Sequence, residues 1–163
     1  MLRPAVSLEA IEALYRRRAA DYFRFALAKT ADPERARDAV QDGFAHAIRS
    51  RATFRGAGSL EAWVARCVIN AAHDLNRALS RAPAEPLDFA AASVIESDAG
   101  ATVVREAVQR LPARQRDALY LRYYLDLDYR AIAEVLDVEV GTVSATLHTA
   151  RSSLRDALQE VPR

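Results

Sequence analysis

Leu127–Leu158 reads LDYRAIAEVLDVEVGTVSATLHTARSSLRDAL, and this stretch decides the fold. Two helical patterns meet in it at a short break. The first spans Tyr129–Leu136, with Ile132, Val135 and Leu136 apolar and Asp128 placed to accept backbone N–H groups as an N-cap. The break is Asp137-Val138-Glu139, and Asp is one of the few residues besides Gly that tolerates the left-handed backbone of a tight turn. The second pattern places Val143, Leu147, Ala150, Leu154 and Leu158 at steps of 4, 3, 4 and 4, which is one face of a helix. A short helix, a tight turn and a longer helix with one buried face form a helix-turn-helix, a unit able to lay its second helix in the DNA major groove. By pattern alone, an ordinary helical hairpin within a bundle fits equally.

Working outward, Pro112 opens a helix, PARQRDALYLRYYLD, with Ala118, Leu119, Leu121, Arg122 and Leu125 toward its core side, and Thr102–Leu111 form a helix before it. Residues 78–100 change composition: Pro83 and Pro86 lie close together, followed by Ala, Ser and acids, as in a linker. Toward the N-terminus, Leu8–Lys29 carry an apolar stripe of Leu8, Ile11, Leu14, Tyr15, Tyr22, Phe25 and Ala26. Beside it, Arg16, Arg17 and Arg18 read as a solvated face or as phosphate contacts. Asp32-Pro33-Glu34 is a helix start, with N-cap, first-turn proline and a carboxylate at the positive end of the dipole. Val40, Phe44, Ala47 and Ile48 then share one face, and Asp38, Gln41 and Asp42 another. Gly43, inside this helix, costs up to ~1 kcal/mol relative to Ala and has no explanation in the sequence. The loop ATFRGAGS (52–59) ends on Ser59, a cap for a helix over Leu60–Leu79. There Leu60, Trp63, Val64, Cys67, Val68, Ala71 and Leu75 form the expected buried face, and Arg66, Asn70, His73, Asp74 and Arg77 the polar one.

The stretch LPARQRDALYLRYYLDLDYRAIAEVLDVEVGTVSATLHTARSSLRDAL closely resembles the promoter-binding C-terminal domain of bacterial RNA polymerase sigma factors, in particular the small two-domain extracytoplasmic-function (ECF) group of the sigma-70 superfamily. The resemblance covers Ala107–Leu158 and rests on the Leu-Pro-x-Arg-Gln-Arg opening, Ile132-Ala133-Glu134-x-Leu136, Val140-Gly141-Thr142-Val143 and Leu147-His148-x-Ala150-Arg151. The motif Asp38-x-Val40-Gln41-Asp42-x-Phe44 resembles the polymerase-docking helix of the same family.

The resemblance implies an all-α protein of two small helical domains. They are a core-polymerase and minus-ten domain over 1–79, a flexible linker over 80–100, and a helix-turn-helix domain over 101–163. It implies a transcription initiation factor with core RNA polymerase and promoter DNA as partners, and an activator or anti-sigma factor as a further one. Asp38, Gln41 and Asp42 would face the polymerase clamp. Phe54, Arg55, Arg66, Asn70, His73 and Arg77 would meet the minus-ten strand: Asn70 at a base edge, the arginines on phosphates, and Phe54 and Arg55 against an extruded base. Arg130, Thr142, Ser144, Thr146, His148, Thr149 and Arg151 would meet the minus-thirty-five duplex. For each of these, a solvated surface position is the structural alternative.

The second helix departs from the family. Ser144, Thr146 and Thr149 stand where sigma factors commonly carry Lys or Arg, and Glu139 where a capping Ser is common. A sigma-like regulator whose C-terminal domain mainly binds a protein is therefore the competing reading. Charge agrees with this neutrality. Residues 1–80 hold 13 basic and 9 acidic side chains, residues 81–100 hold 1 and 4, and residues 101–163 hold 9 of each, within an overall +1. A DNA-binding domain usually shows a basic footprint.

With 51% hydrophobic but only 7% aromatic residues, the core must be built largely of Ala, Leu and Val. One cysteine, Cys67, permits no internal disulfide and suits a reducing compartment. No apolar run reaches transmembrane length and the N-terminus lacks a signal-peptide core, so a cytoplasmic protein without membrane contact is expected. No catalytic or metal site and no cofactor is expected. His46, His73 and His148 fall on separate helices, and no zinc-ligand spacing, phosphate loop or dinucleotide turn occurs.

Overall fold

The computed structural model describes residues 6–56, 58–80 and 99–159. They form helices in the order α1 (Leu8–Thr30), α2 (Pro33–Ser50), a 3-10 turn (Arg51–Thr53), α3 (Leu60–Ser80), α4 (Ala99–Gln109), α5 (Ala113–Tyr123), α6 (Tyr129–Leu136) and α7 (Val140–Gln159), with no strand among the described residues. Two compact units result, α1–α3 and α4–α7. Most of the stretch read as the linker lies outside the described residues. Its edges are helical: α3 runs on to Ser80, and α4 begins at Ala99, ahead of the expected Thr102.

In the first unit, α1, α2 and α3 pack on one another, α2 touching both neighbours. Local signals set the ends of these helices. The Ser7 hydroxyl accepts from Ala10 N (3.1 Å), the Asp32 carboxylate from Arg35 N (2.8 Å) and the Ser59 hydroxyl from Ala62 N (3.0 Å). Tyr22, 1% exposed, donates its hydroxyl to the Glu61 carbonyl (2.9 Å) and so ties α1 to the start of α3. Burial raises the pKa of this phenol. Phe44 takes Tyr15 and Tyr22 edge-on, with ring centroids 5.0 and 5.2 Å apart.

Two expected stripes are corrected. Leu8 and Tyr15 of α1 are exposed, Tyr15 keeping only its edge contact with Phe44. On α3 the buried side chains are Ala62, Val64, Ala65, Cys67, Val68, Ile69 and Ala72, while Leu60, Trp63, Ala71 and Leu75 are only half-buried. The inner face is thus turned toward the small residues, because α2 and α3 meet more closely than large side chains allow. The closest point is Gly43: a Cβ built there would lie 2.6 Å from Val68 Cγ2, 2.7 Å from Val68 Cα and 2.8 Å from Val68 N. Gly43 stands inside a helix because the backbone of α3 occupies the space of its missing side chain.

In the second unit, α7 packs against α4, α5 and α6. Ala118, Leu121, Leu125, Ile132, Val143, Leu147 and Ala150 are at most 2% exposed and form its core. The helix-turn-helix follows its local chemistry. The Asp128 carboxylate accepts from Ala131 N (2.8 Å), and Asp137 turns the chain at φ 54°, ψ 54°. Val138 N then reaches back to the Ala133 carbonyl (3.0 Å), and the Glu139 carbonyl takes the N–H groups of Thr142 and Val143 that open α7. The buried seam of α7 ends earlier than expected: Leu154 is half-buried and Leu158 is 38% exposed.

Candidate nucleic-acid interface

Three surfaces carry the residues singled out by sequence. On α2, Asp38, Gln41 and Asp42 are all exposed, while Ala39, Val40 and Gly43 between and beside them are buried. One helix face therefore holds the core together while the other presents two carboxylates and an amide.

On α3, Arg66, Asn70, His73 and Arg77 are all exposed. Asn70, His73, Asp74, Asn76, Arg77 and Ser80 line a shallow groove along the C-terminal half of the helix. Asp74 and Arg77 form an ion pair across one turn, so Arg77 faces the groove with its charge partly answered. Both members are largely exposed, and such pairs contribute little to stability. Asn76 is turned elsewhere: its amide donates to the Lys29 carbonyl (3.1 Å) and joins α3 to the end of α1.

The loop before α3 brings Phe54 to Trp63, with ring centroids 5.2 Å apart and planes inclined at 45°. Phe54 is half-buried and Arg55 exposed. Sequence reasoning assigned Trp63 to the core, yet it opens the polar face. Positions 63, 66, 70, 73 and 77 recur at steps of 3, 4, 3 and 4, and that spacing was the available signal. The polar face thus begins with an aromatic pair and continues with donors and cations, a combination suited to stacking bases and holding phosphates. Trp63 is the chain's one tryptophan. Phe54→Ala is expected to expose it and shift its emission to the red, and single-stranded DNA added to the native chain is expected to quench it. A fluorescence titration reads both.

On α7, Thr142, Ser144, His148 and Thr149 are exposed and Thr146 half-buried, and Arg130 of α6 is exposed. Arg151 is placed differently. It is half-buried, its Nε donates to the Tyr123 hydroxyl (3.1 Å), and its guanidinium lies 6.0 Å from the centre of the Tyr123 ring. Hydrogen bonding to Tyr123 and Tyr129 raises the pKa of Arg151. Around the turn, Arg130, Ala133, Glu134, Asp137, Val138, Glu139 and Val140 line a second shallow groove with three carboxylates. Among the described residues, no group of three or more His, Cys, Asp or Glu is placed to hold a metal ion. No helix there is long and apolar enough to cross a membrane. Cys67 is buried, and burial pushes its thiol up to about 11.

These features define a helical protein that pairs a helix-turn-helix with a separate unit bearing an acidic face and an aromatic–basic face. The family model for sigma-70 region 2 matches residues 14–82, and that for sigma-70 region 4 matches residues 102–154. The chain is 34% identical over 149 residues to the RNA polymerase sigma-H factor of Pseudomonas aeruginosa, across 81% of this chain and 77% of that protein. It is 31% identical over 147 residues to the ECF RNA polymerase sigma factor SigM of Mycobacterium tuberculosis, across 89% of this chain and 75% of that protein. Two solved structures share the fold at a TM-score of 0.72. One is the sigma factor RpoE of Bartonella quintana in complex with the anti-sigma factor NepR (18% identity, 95% of this chain and 100% of that one). The other is CnrH in complex with the cytosolic domain of CnrY (21% identity, 96% and 92%). The chain belongs to the sigma-70 family of RNA polymerase sigma factors. Within it, the chain is an ECF sigma factor, a transcription initiation factor of a family whose members bind core polymerase and promoter DNA and are not in general enzymes.

Proposed function

We propose that this sigma factor divides its work between residues 1–79 and residues 101–163, joined by a linker over 80–100, and that it acts in the cytoplasm. Asp38, Gln41 and Asp42 dock on the basic clamp of core polymerase. Arg66, Asn70, His73 and Arg77, with Phe54 and Arg55, receive the separated minus-ten strand. The outer side of α7, through Thr142, Ser144, Thr146, His148 and Thr149, with Arg130 beside it, faces the minus-thirty-five duplex.

The observation that carries this reading is the seam of α7: Val143, Leu147 and Ala150 are wholly inside, which leaves the alternating polar positions outside as a helix offered to a groove. Transcription in vitro with purified core polymerase on a promoter library is the test. Sequence-selective initiation dependent on this chain supports the reading. Its absence, with or without added factors, overturns it.

A second reading has a specific observation behind it. Thr142, Ser144, Thr146, His148 and Thr149 offer no Lys or Arg on the outer side of α7, and Glu134, Asp137 and Glu139 line the groove at its start. Carboxylates there suit the helix dipole and repel phosphate. In this reading the second unit engages a protein, an activator or an anti-sigma factor. Both related structures described above are complexes with a protein partner, in one of them a sigma factor with an anti-sigma factor.

A gain-of-contact variant distinguishes the two. If α7 meets duplex DNA, Thr149→Arg adds one phosphate contact and steepens the dependence of log K on log[salt] by about 0.9. An unchanged slope, measured by fluorescence anisotropy across a salt series, favours the protein partner.

A further inference from the structure

Tyr123 is 63% exposed, an unusual position for a large aromatic side chain at the end of a core helix. It touches Arg151 twice, through its hydroxyl and through its ring face, across 28 positions of sequence. Burial of the core does not account for this arrangement, since Leu121, Leu147 and Ala150 are fully buried while Tyr123 stays exposed.

The placement of Arg151 gives the contact a direction. At about 100° per residue, Arg151 lies roughly 40° around α7 from Leu147, on the flank between buried seam and outer face. Arg155 falls on the same flank, and Ser144 and His148 lie where that flank borders the outer face, the four positions 144, 148, 151 and 155 recurring at steps of 4, 3 and 4. Ser144, His148 and Arg155 are exposed. From Thr142 to Thr149 the outer face therefore carries no Lys or Arg, and Arg151 and Arg155 stand on the flank. A helix seated in a major groove turns its outer face to base edges and its flanks to the groove walls, which are phosphates. The hydrogen bond to Tyr123 uses Nε and Tyr129 takes a further one, so of its five N–H donors the guanidinium fork keeps others for phosphate oxygens. The Tyr123 hydroxyl accepts from Arg151 and keeps its own proton to donate beside that fork.

We infer that Tyr123 is a positioning residue for promoter binding, holding the Arg151 guanidinium on the α5-facing flank of α7, where the two side chains together clasp one phosphate of the duplex. The inference rests on the reading of α7 as a duplex-docking helix and adds to it where the backbone charge of that helix resides. An arginine held in place loses less side-chain freedom on binding than a free one, so the contact is stronger for the same charge.

The test uses holoenzyme assembled from core polymerase and each variant of the full chain, with duplexes recovered by the wild-type holoenzyme from a random-sequence pool. Arg151→Ala is expected to weaken binding about tenfold and to reduce the salt slope by about 0.9. Tyr123→Phe, which keeps the ring and removes the hydroxyl, is expected to weaken binding about threefold in the native background and not at all beside Arg151→Ala. That non-additivity is a signature that loss of folded protein would not produce. Equal effects of Tyr123→Phe in both backgrounds, tighter binding on its introduction, or an unchanged slope for Arg151→Ala each overturn the inference while leaving promoter binding by the unit intact. Recovery of no duplex at all by the wild type overturns the reading beneath it as well.

Discussion

Replacing Gly43 with alanine is expected to destabilise the α1–α3 unit by about 2–3 kcal/mol, although alanine is the better helix former by roughly 1 kcal/mol. The added methyl would stand 2.6–2.8 Å from Val68, and two of the three nearest atoms are main-chain Cα and N. A crowded side chain can rotate away, but a crowded helix axis must move as a body. The neighbours that would have to follow, Val64, Ala65 and Ala72, are completely buried. For a unit of this size the loss corresponds to a fall in melting temperature of about 10–20 °C. Val68→Ala removes the Cγ2 contact and leaves the main-chain ones, so the double variant is expected to remain unstable. Rescue by Val68→Ala would show that the side chain alone was in the way. Cys67, adjacent to this crossing, supplies a second reading. Its thiol is buried and pushed up to about 11, so it should be nearly inert to alkylation at pH 8 in the native chain and reactive in the Gly43→Ala variant.

Gly43 also marks the limit of what could be read from the chain. The helix-turn-helix was legible because its determinants are local: the Asp128 cap, the left-handed Asp137 and the seam of Val143, Leu147 and Ala150 each depend on neighbours within a few residues. Gly43 depends on Val68, a partner on another helix, and no local rule reveals it. The error on α3 has the same origin. Apolar spacing gave weight to Trp63, Ala71 and Leu75, whereas the close α2–α3 approach selected Ala62, Ala65 and Ala72 for the inner face. Trp63 was thereby released to pack at a tilt against Phe54 at the head of the polar face. Arg151 illustrates a third kind of loss. Its place on the helix could be counted, but its grip on Tyr123 depends on where α5 ends against α7. The role of the α2 carboxylates came from resemblance alone, and the structure adds that they are outside and available.

That availability makes the last expectation sharp. Asp38→Arg combined with Asp42→Arg is expected to reduce affinity for core polymerase at least a hundredfold and abolish transcription, while leaving the melting temperature within a few degrees of the native value. Both side chains are exposed, and neither cap nor core of α2 depends on them: the cap is Asp32, and the inner face is Ala36, Ala39, Val40, Gly43, Phe44 and Ala47. Surface substitutions of that kind change stability by about 0.5 kcal/mol at most. At a docking face the same change replaces two attractions to basic clamp residues with two repulsions, and like charges forced together across an interface cost several kcal/mol. Gln41, between them, can donate as well as accept, so Gln41→Ala should cost far less, about tenfold or below. The ordering is the informative part. If the double reversal and Gln41→Ala weaken polymerase binding equally, or if the reversal binds normally, α2 does not dock through this face.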